Sequence, residues 1–348
     1  MTIETILLTG GAGFFGKILK RQMLLAGYRC VSIDLVRDDD VHENLVSIHG
    51  DLRDRALLER LFEQYSFTGV QHCAAMLAHG SHLDEQAIWT CNVDATRNIA
   101  EACLAYGVPN LIFTSTNCLW ASNLGHPIRE DEPVQPVEIY GRSKLEAEKI
   151  LGQFADRLNV VIIRCPTIID SGRLGLLSIL FEFIDDHKTI WMVGKGSNRY
   201  QFIYAQDLAD ACIRALRCGH SDLFHVGSDH VASLRDVFST VVHKAGSKSQ
   251  IRCLPASLAI TAMKLAHGLG ISPLGPYHYK MIAEDFLFDT SRIKAQLGWR
   301  PTLTNSEMLV RAYRYYSENR AEIESRSEAS AHRKPAPMGV IRMLKWIS

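Results

Sequence analysis

The sequence lacks an excess of either charge, a long apolar run and any low-complexity segment. Lys plus Arg and Asp plus Glu both number 38, so the formal net charge is zero. Proteins that bind nucleic acid usually carry a basic excess, and the balance therefore argues against a nucleic-acid partner. No apolar run reaches the roughly 20 residues of a membrane span. The first apolar strand begins almost at residue 2, so we predict a cytoplasmic protein without a signal peptide.

The cysteine and histidine patterns of disulfide and metal sites are also scarce. None of the nine cysteines forms a C-x-x-C pair, so free thiols in a reducing compartment are the simplest interpretation. His72, His79 and His82 lie close together, but two of them fall in the expected substrate loop, and we predict no metal ion. With 348 residues, 47% of them hydrophobic, the chain has room for one large or two unequal domains.

The amino terminus, by contrast, carries a dense cluster of glycines. An apolar run at 6–8 predicts a buried strand, and apolar residues from Phe14 to Met23 recur at helical spacing. Between them stand Gly10, Gly11, Gly13 and Gly16. A strand that turns sharply into a helix directs backbone N–H groups and the positive end of the helix dipole at one spot, which binds phosphate. Glycine permits positive φ there and lets a pyrophosphate approach the backbone.

A carboxylate at the end of the next predicted strand completes a dinucleotide-binding pattern. Asp34 follows the last of these glycines by 18 residues, where a dinucleotide fold binds the adenosine ribose hydroxyls. Its charge would repel a 2′-phosphate, so NAD is favoured over NADP, although Arg37 lies nearby. The stretch from Gly11 to Lys17 also fits an ATP-binding loop, but Ile18 stands where that loop needs a hydroxyl for Mg²⁺.

Strands and helices alternate along the first half of the chain. We predict strands at 6–8, 28–34, 46–51, 70–75, 111–116 and 160–163, and helices at 53–65, 84–106 and 139–158. This alternation specifies an α/β fold, a doubly wound Rossmann-type parallel sheet covered by helices on both faces. Ligands bind beyond the carboxyl ends of such strands. The residues expected at that edge are Gly10–Gly16, Asp34, Asp51, Ala74–Ala75 and Thr116.

After Pro166 the pattern changes to Gly- and Pro-bearing stretches between helices. We predict an NAD-binding domain over 1–166, with 202–220 returning to the main sheet, and a smaller substrate-binding domain over 167–201 and 221–325. Residues 326–348 form a basic, amphipathic tail whose apolar stripe consists of Met338, Ile341, Leu344 and Ile347. Such a stripe packs on its own domain or a second subunit, or rests on an anionic membrane surface.

The sharpest chemical pattern is Tyr140 with Lys144. Spaced i, i+4 on a predicted helix, the two side chains share one face. An ammonium close to a phenol lowers the tyrosine pKa from about 10, which would make Tyr140 a usable acid and base near neutral pH. The pair alone is a common helix pattern, but it follows Thr116, at a strand end of the predicted sheet, by 24 residues. Thr116 can hydrogen-bond a substrate hydroxyl or carbonyl.

Together these motifs resemble the extended short-chain dehydrogenase/reductases of the NAD-dependent epimerase/dehydratase type. The resemblance covers about residues 3–318. It rests on T-G-G-A-G-F-F-G (Thr9–Gly16), G-D-L-R-D (Gly50–Asp54), H-C-A-A (His72–Ala75), N-V-D-A-T (Asn92–Thr96), F-T-S-T (Phe113–Thr116), Y-G-R-S-K (Tyr140–Lys144), F-I-Y-A-Q-D (Phe202–Asp207) and L-G-W-R-P (Leu297–Pro301).

The resemblance implies an NAD site and a catalytic triad of Thr116, Tyr140 and Lys144. Tyr140 would take the hydroxyl proton, Thr116 would position that oxygen, and Lys144 would bind ribose, while hydride passes to the nicotinamide. The cofactor contacts that it implies are Gly10, Gly13, Phe14, Phe15, Gly16, Asp34, Asp51, Leu52, Ala74, Ala75, Asn92, Ser115, Tyr140, Lys144 and Pro166.

The substrate is less firmly indicated. Dehydratases of this family carry Asp-Glu after the catalytic Thr, whereas Asn117 and Cys118 stand here, which disfavours a 4,6-dehydratase. Nucleotide-sugar epimerases often hold the diphosphate with an Arg, and Arg199 is displaced from that position by one residue. The second such Arg is replaced around Ala283–Asp285. We expect Thr116, Asn117, Trp120 and Arg199 to contact the substrate.

We therefore expect hydride transfer at a secondary alcohol of a nucleotide sugar, of the 4-epimerase or reductase type. The incomplete diphosphate clamp leaves a 3β-hydroxysteroid-dehydrogenase-like enzyme for a steroid, terpenoid or lipid alcohol as the alternative. A non-catalytic NAD-binding scaffold or sensor is the alternative of another class, and the intact triad argues against it. Relatives pair through helices like 84–106 and 139–158, so we expect a homodimer; peripheral membrane contact through the tail stays open.

Overall fold

The computed structural model describes residues 3–77, 84–269 and 275–325. Its strands are β1 (Thr5–Thr9), β2 (Arg29–Asp34), β3 (Leu45–His49), β4 (Phe67–His72), β5 (Asn110–Thr116), β6 (Asn159–Cys165), β7 (Thr167–Ile169), β8 (Ile190–Val193), β9 (Phe202–Tyr204), β10 (Asp222–His225) and β11 (Ile251–Leu254). Its α-helices are α1 (Phe14–Leu25), α2 (Arg55–Gln64), α3 (Glu85–Trp89), α4 (Ala95–Ala105), α5 (Ile139–Gly152), α6 (Leu177–Asp185), α7 (Ala205–Ala215), α8 (Leu234–Lys244), α9 (Ala256–Gly268), α10 (Pro276–Met281), α11 (Ser291–Leu297), α12 (Asn305–Glu318) and α13 (Arg320–Ser325).

Seven parallel strands form the central sheet, in the order β10-β6-β5-β4-β1-β2-β3. Leu7 of β1 is in register with Val31 of β2 and with Val70 of β4. The chain order reverses between β1 and β4, and doubly wound sheets open a ligand crevice at the carboxyl ends of the strands at such a point. The predicted α/β fold with a parallel, doubly wound sheet is confirmed.

Apolar clusters on both faces of the sheet explain the near-continuous apolar strands. Leu7 packs with residues of α2, α4 and α5 on one face. Its neighbours Ile6 and Leu8 pack with residues of α1 and α7 on the other face. Successive side chains of a strand point to opposite faces, so strands covered on both sides must be apolar at every position. A third cluster joins α6, α8 and α12 in the carboxyl-terminal half.

The helix predicted at 84–106 is interrupted. α3 and α4 are separated by a π-helical turn at Thr90–Asp94, and such turns often accompany functional positions in helices. The helix predicted at 139–158 ends earlier, at Gly152, and the turn after it places Phe154 in the core. Both deviations leave the predicted elements in place and change only their lengths.

Two predicted segments pair differently from our expectation. We predicted that 202–220 returns to the main sheet, but β9 pairs with β7 in a separate two-stranded sheet. α7, which follows it, does pack under the main sheet. β10, which belongs to the 221–325 segment, is the edge strand of the main sheet, beside β6. Short apolar strands of this kind carry no signal of their partner.

The described residues contain no helix with enough apolar length to traverse a bilayer. The amphipathic tail at 326–348 lies outside these residues, as do His79 and His82. Most of the cysteines are buried, and Cys253 is the exposed one of the nine. Burial raises the pKa of the Cys30 and Cys165 thiols to about 12, so these sulfurs stay protonated at neutral pH.

Candidate active site

The glycine turn between β1 and α1 is so tightly packed that Gly10 and Gly16 leave no space for a side chain. Gly10 has a φ of 76°, and a Cβ there would lie 2.8 Å from the Cα of Ala74. A Cβ on Gly16 would lie 2.0 Å from the carbonyl oxygen of Gly10. Gly13 is the N-cap of α1 and provides no capping side chain. The positive end of α1 therefore faces a concave turn of backbone, as an anion site requires.

Asp34 at the end of β2 lies against this turn. One carboxylate oxygen accepts from the Ala12 amide at 3.0 Å and the other from the Val36 amide at 2.9 Å. Two further acids, Asp38 and Asp40, bind the buried ammonium of Lys20, with Asp40 at 2.7 Å. Lys20 lowers the pKa of the Asp40 carboxyl through this hydrogen bond. The loop after β2 therefore presents fixed negative charge beside the turn, which is unfavourable for a 2′-phosphate.

The end of β4 is held by a chain of buried hydrogen bonds through His72. The Ala74 amide donates to the hydroxyl of Thr9 at 3.2 Å, and Thr9 is 2.7 Å from Nδ1 of His72. Nε2 of His72 lies 2.9 Å from the hydroxyl of Thr96, which donates to the carbonyl of Asn92. These directions are consistent with a neutral ring protonated on Nε2. Burial lowers the His72 pKa to about 3, so this residue connects the segments and holds no charge.

Asn92, in the π-helical turn, ties three elements together. Its Oδ1 accepts from the Met76 amide at 2.7 Å, and its Nδ2 donates to the Met76 carbonyl at 3.0 Å. The same Nδ2 donates to Ser143 on α5 at 2.9 Å, and Ser143 donates to the carbonyl of Tyr140. The irregular turn thereby fixes the amino-terminal part of α5, where the predicted catalytic residues lie.

The described residues contain no cluster of His, Cys, Asp and Glu that could hold a metal ion.

The structure brings Thr116 and Tyr140 together. Thr116 is the last residue of β5, its Oγ1 accepts from the Cys118 amide at 3.1 Å, and its hydroxyl is close enough to the Tyr140 phenol to lower the pKa of that phenol. Lys144 lies one helical turn along α5, and its buried ammonium donates to the carbonyl of Thr114 at 2.7 Å. That ammonium also lies 3.7 Å from the ring centroid of Phe113. All three predicted triad residues thus meet at the carboxyl end of β5.

The titration of this group differs from our prediction of an acidified phenol. Burial raises the pKa of Tyr140 well above its ordinary value, although the Thr116 hydrogen bond and the charge of Arg173 act to lower it. The Lys144 ammonium is engaged with a carbonyl, and burial lowers its own pKa to about 8. Desolvation therefore outweighs the nearby cations in this arrangement. The phenol is protonated at neutral pH.

Arg173 is a candidate site residue that the sequence motifs do not include. Its guanidinium lies 6.0 Å from the ring centroid of Phe14, the first residue of α1. Nε and Nη1 are shut off from solvent and find no acceptor among the described residues. Burial lowers the Arg173 pKa to about 10, and the Tyr140 phenol acts in the other direction. The sequence could have indicated this residue, because Arg173 is the only charged residue between Asp170 and Glu182.

Several predicted cofactor contacts are engaged within the protein. The Ser115 hydroxyl donates to Glu148 at 2.5 Å, because Ser115 faces the side of the sheet opposite to Thr116. Asp51 binds the guanidinium of Arg53. Others are placed as expected beside the turn or the strand ends. Phe14, Phe15, Leu52 and Pro166 are buried, and Ala75 is exposed.

Two predicted substrate contacts turn out to be structural. Asn117 is buried, and its Nδ2 donates to the hydroxyls of Tyr200 at 2.7 Å and Tyr277 at 2.8 Å. Trp120 is 2% exposed, and its Nε1 donates to the Pro133 carbonyl at 2.9 Å. The prediction that these side chains face the substrate is wrong for Trp120, whose ring is enclosed by an aromatic cluster. Asn117 instead fixes the carboxyl-terminal segments against the end of β5.

Arg199 lies at the surface and is paired with an acid. Its Nη2 pairs with Asp285 at 3.3 Å, and its amide donates to the same carboxylate at 2.7 Å. Both residues line a small depression with the loop at 123–128. A guanidinium already paired with a carboxylate is a weaker ligand for a phosphate than a free one.

Comparisons with known proteins agree with this geometry. The model of the NAD dependent epimerase/dehydratase family matches residues 6–227. "Uncharacterized protein y4nG" of Sinorhizobium fredii (strain NBRC 101917 / NGR234) is 31% identical over 346 residues, 99% of this chain and 86% of that protein. UDP-glucose 4-epimerase of Azospirillum brasilense is 26% identical over 335 residues, 88% of this chain and 90% of that protein.

Solved structures share the fold. A UDP-glucose 4-epimerase from Thermotoga maritima with UDP-glucose superposes with a TM-score of 0.75 at 21% identity, over 90% of this chain and 99% of that one. A dTDP-glucose 4,6-dehydratase from Bacillus anthracis in complex with NAD gives a TM-score of 0.73 at 19% identity, over 91% of this chain and 98% of that one. At these identities the likeness bears on the fold.

Proposed function

This chain belongs to the NAD dependent epimerase/dehydratase family, among the extended short-chain dehydrogenase/reductases, and on that premise we propose that it transfers hydride at a secondary alcohol of a nucleotide sugar, as a 4-epimerase or reductase. The family consists of NAD-dependent enzymes, which sets the non-catalytic scaffold aside. The observation that carries the proposal is the placement of Thr116 beside the Tyr140 phenol, at the carboxyl-terminal edge of the sheet where the glycine turn also lies.

The residues around the turn fit a bound NAD. The turn at Gly10–Gly16, in which Gly10 and Gly16 leave no space for a Cβ, and the start of α1 would hold the diphosphate. Asp34 would accept from the adenosine ribose, with a carboxylate already fixed by two amides. Arg173 has buried donors that meet no acceptor in the part of the chain that the structure describes, and these suit the same anionic group. Bound NAD supplies a nicotinamide ring that accepts and returns hydride.

Tyr140 and Thr116 would manage the proton of the substrate hydroxyl. Because burial keeps the phenol protonated, Tyr140 can donate a proton to a carbonyl oxygen during reduction. In oxidation it must first lose that proton, and the charge of Arg173 and the Thr116 hydrogen bond both favour the phenolate. Thr116 would hold the reacting oxygen beside the phenol. Lys144, anchored on Thr114, would carry positive charge next to the cofactor ribose.

The choice of a nucleotide sugar rests on curated relatives. UDP-glucose 4-epimerases match this chain over most of both sequences. One observation favours the second candidate, a 3β-hydroxysteroid-dehydrogenase-like enzyme for a steroid, terpenoid or lipid alcohol. Arg199, the cation expected to hold a sugar nucleotide, is paired with Asp285, and a lipid alcohol would need no such cation. The domain boundaries and the homodimer through α4 and α5 stay predictions.

Substitution of Tyr140 by Phe tests the proposal. The nucleotide bound to the purified protein is first released and identified. Turnover is then measured with UDP-, GDP- and dTDP-sugars and with sterol and long-chain 3-hydroxy substrates. Tyr140→Phe removes the proton donor, so we expect turnover to fall about 10²–10⁴-fold with NAD binding retained. Tyr106→Phe, which changes an exposed tyrosine at the end of α4, is the matched control. Unchanged turnover in Tyr140→Phe would remove this residue from the mechanism.

A further inference from the structure

α9 is an apolar helix that the protein does not bury. None of its 13 residues is buried. Ala259, Ile260, Met263 and Ala266 are half-buried on the side facing the protein, towards β8 and α10. α9 carries apolar residues on its outer face as well as its inner face, which is usual for a helix inside a large core or a membrane. α9 is in neither position within the described structure, so its outer face needs another explanation.

The outer face of α9 is a row of leucines in solvent. Leu258, Leu265 and the C-cap residue Leu269 are 67%, 65% and 74% exposed, and Ala262 is also exposed between them. Their spacing of 4, 3 and 4 residues places them on one side of the helix. Single exposed leucines are ordinary, but a contiguous apolar row on one helix indicates a binding surface.

The polar groups on α9 are compatible with an apolar surrounding. The hydroxyl of Thr261 donates to the Ser257 carbonyl at 2.8 Å, so this exposed group is satisfied within the helix. Lys264 lies 5.8 Å from the ring centroid of Tyr279 on α10, so its charge does not interrupt the leucine row. Lysine stems of this kind extend along an apolar surface and keep the charge at its border.

The surrounding sequence carries positive charge alone. Residues 237–283 contain no Asp or Glu. The cations in this stretch are Lys244, Lys248, Arg252, Lys264 and Lys280. The last 20 residues, 329–348, are likewise free of acids and contain Arg333, Lys334, Arg342 and Lys345. The carboxyl-terminal part of the sequence therefore contains two acid-free segments, both rich in apolar residues.

We propose that α9 lies in the plane of an anionic lipid surface, with Leu258, Leu265 and Leu269 inserted among the acyl chains. With 13 residues α9 is about 20 Å long, too short for the roughly 30 Å of a bilayer core, but suited to the interface. The cations of the acid-free stretch at 237–283 would attract anionic headgroups at about 1 kcal/mol for each one near the surface. The inference goes beyond the proposed function and does not depend on it.

Charge and area disfavour the other occupants of this face. The tail at 329–348 is as basic as the segment around α9, so its docking there would bring like charges together. A second copy of α9 meets the same repulsion. A face about 20 Å by 10 Å also offers much less than the roughly 800 Å² per partner of a stable protein interface. An anionic lipid surface offers acyl chains to the leucines and negatively charged headgroups to the cations.

Vesicle sedimentation of the full-length protein tests the proposal. We expect the protein to bind vesicles of phosphatidylcholine with one quarter phosphatidylglycerol, and to bind pure phosphatidylcholine at least tenfold more weakly. Leu258→Glu with Leu265→Glu should reduce binding tenfold or more, because two carboxylates would enter the acyl region. Leu25→Glu, at an 82% exposed leucine on α1, is the matched control and should bind like the parent protein.

Further measurements separate the outcomes. The thermal midpoint and the NAD content of each variant are measured to check that the fold and the nucleotide site are intact. Neither measurement depends on which substrate the enzyme uses. Equal binding by the α9 variant and the parent protein would overturn the proposal. So would loss of binding in Arg342→Glu with Lys345→Glu alone, since the tail would then be the anchor. Concentration-dependent association that the α9 substitutions abolish, without vesicle binding, would identify a contact between copies instead.

Discussion

At the scale of the residue, Arg173 is the side chain whose position suits an anionic ligand. Its buried Nε and Nη1 lie near Phe14 at the start of α1 and have no acceptor among the described residues. We expect Arg173→Met to weaken NAD binding about 10–100-fold, because a charge-assisted hydrogen bond contributes roughly 1.5–3 kcal/mol. Calorimetric titration with NAD measures this. Adenosine, which has no phosphate, should bind both proteins alike.

The control for Arg173 is Arg142→Met, which removes an exposed arginine from α5. It should leave the NAD affinity unchanged. Equal NAD affinity in Arg173→Met and the parent protein would show that the guanidinium does not reach the cofactor.

The roles of residues were predictable where a short motif or a strand end defines the position. Thr116 and Tyr140 meet as expected, because the carboxyl end of β5 and the start of α5 are neighbours in any fold of this topology. The burial of Trp120 and the contacts of Asn117 could not be predicted, because their partners come from distant segments. The Pro133 carbonyl and the hydroxyls of Tyr200 and Tyr277 occupy them, and no local pattern announces such contacts.

At the scale of the element, a buried ion pair joins α5 to the sheet. Glu148 accepts from Arg164 of β6 at 2.7 Å and from Ser115 of β5 at 2.5 Å, and both charged side chains are nearly fully enclosed. Glu148→Gln leaves the Arg164 charge buried without its partner, so we expect a loss of about 3–5 kcal/mol in the free energy of unfolding. Urea denaturation followed by circular dichroism measures it.

Asp210→Asn provides the matched comparison for Glu148→Gln. Asp210 pairs with Arg214 on α7 at 2.7 Å, with both side chains about half exposed, and surface pairs contribute at most about 1 kcal/mol. A Glu148→Gln variant as stable as Asp210→Asn would mean that solvent or another group compensates the arginine.

Elements with a strong periodic pattern were predicted in kind, and their ends were less certain. The strands of the sheet agree because runs such as Ile6–Leu8 are apolar at every position and both faces are covered. The π-helical turn at Thr90–Asp94 could not be predicted. It depends on the contact of Asn92 with Met76, a residue in a separate loop. The pairing of β9 with β7 likewise follows from tertiary packing.

At the scale of the whole molecule, two buried histidines make stability depend on pH. Burial lowers the pKa of both His72 and His225 to about 3, from 6.5. The folded state keeps them neutral, whereas the unfolded state binds protons below pH 6.5, so stability is present above that pH and is lost as the pH falls towards 3. Each histidine removes up to about 1.4 kcal/mol per pH unit in that window.

Replacement of His225 by Gln should remove part of this acid sensitivity. We expect its free energy of unfolding to fall less steeply between pH 6.5 and 5, by about 2 kcal/mol over the interval, than that of the parent protein. Urea titrations at several pH values provide the measurement. His243→Gln changes an exposed histidine and should keep the parent slope, and an unchanged slope in His225→Gln would contradict the assignment.

Cys253, the exposed one of the nine cysteines, has a practical consequence for spectroscopy. Cys253 belongs to β11, directly before α9, while the buried cysteines have thiols that stay protonated at neutral pH. A maleimide spin label should therefore attach beside the leucine row without any cysteine being engineered or removed. Its accessibility to dissolved oxygen, compared with that to a water-soluble nickel chelate, would report how deep this part of the protein sits.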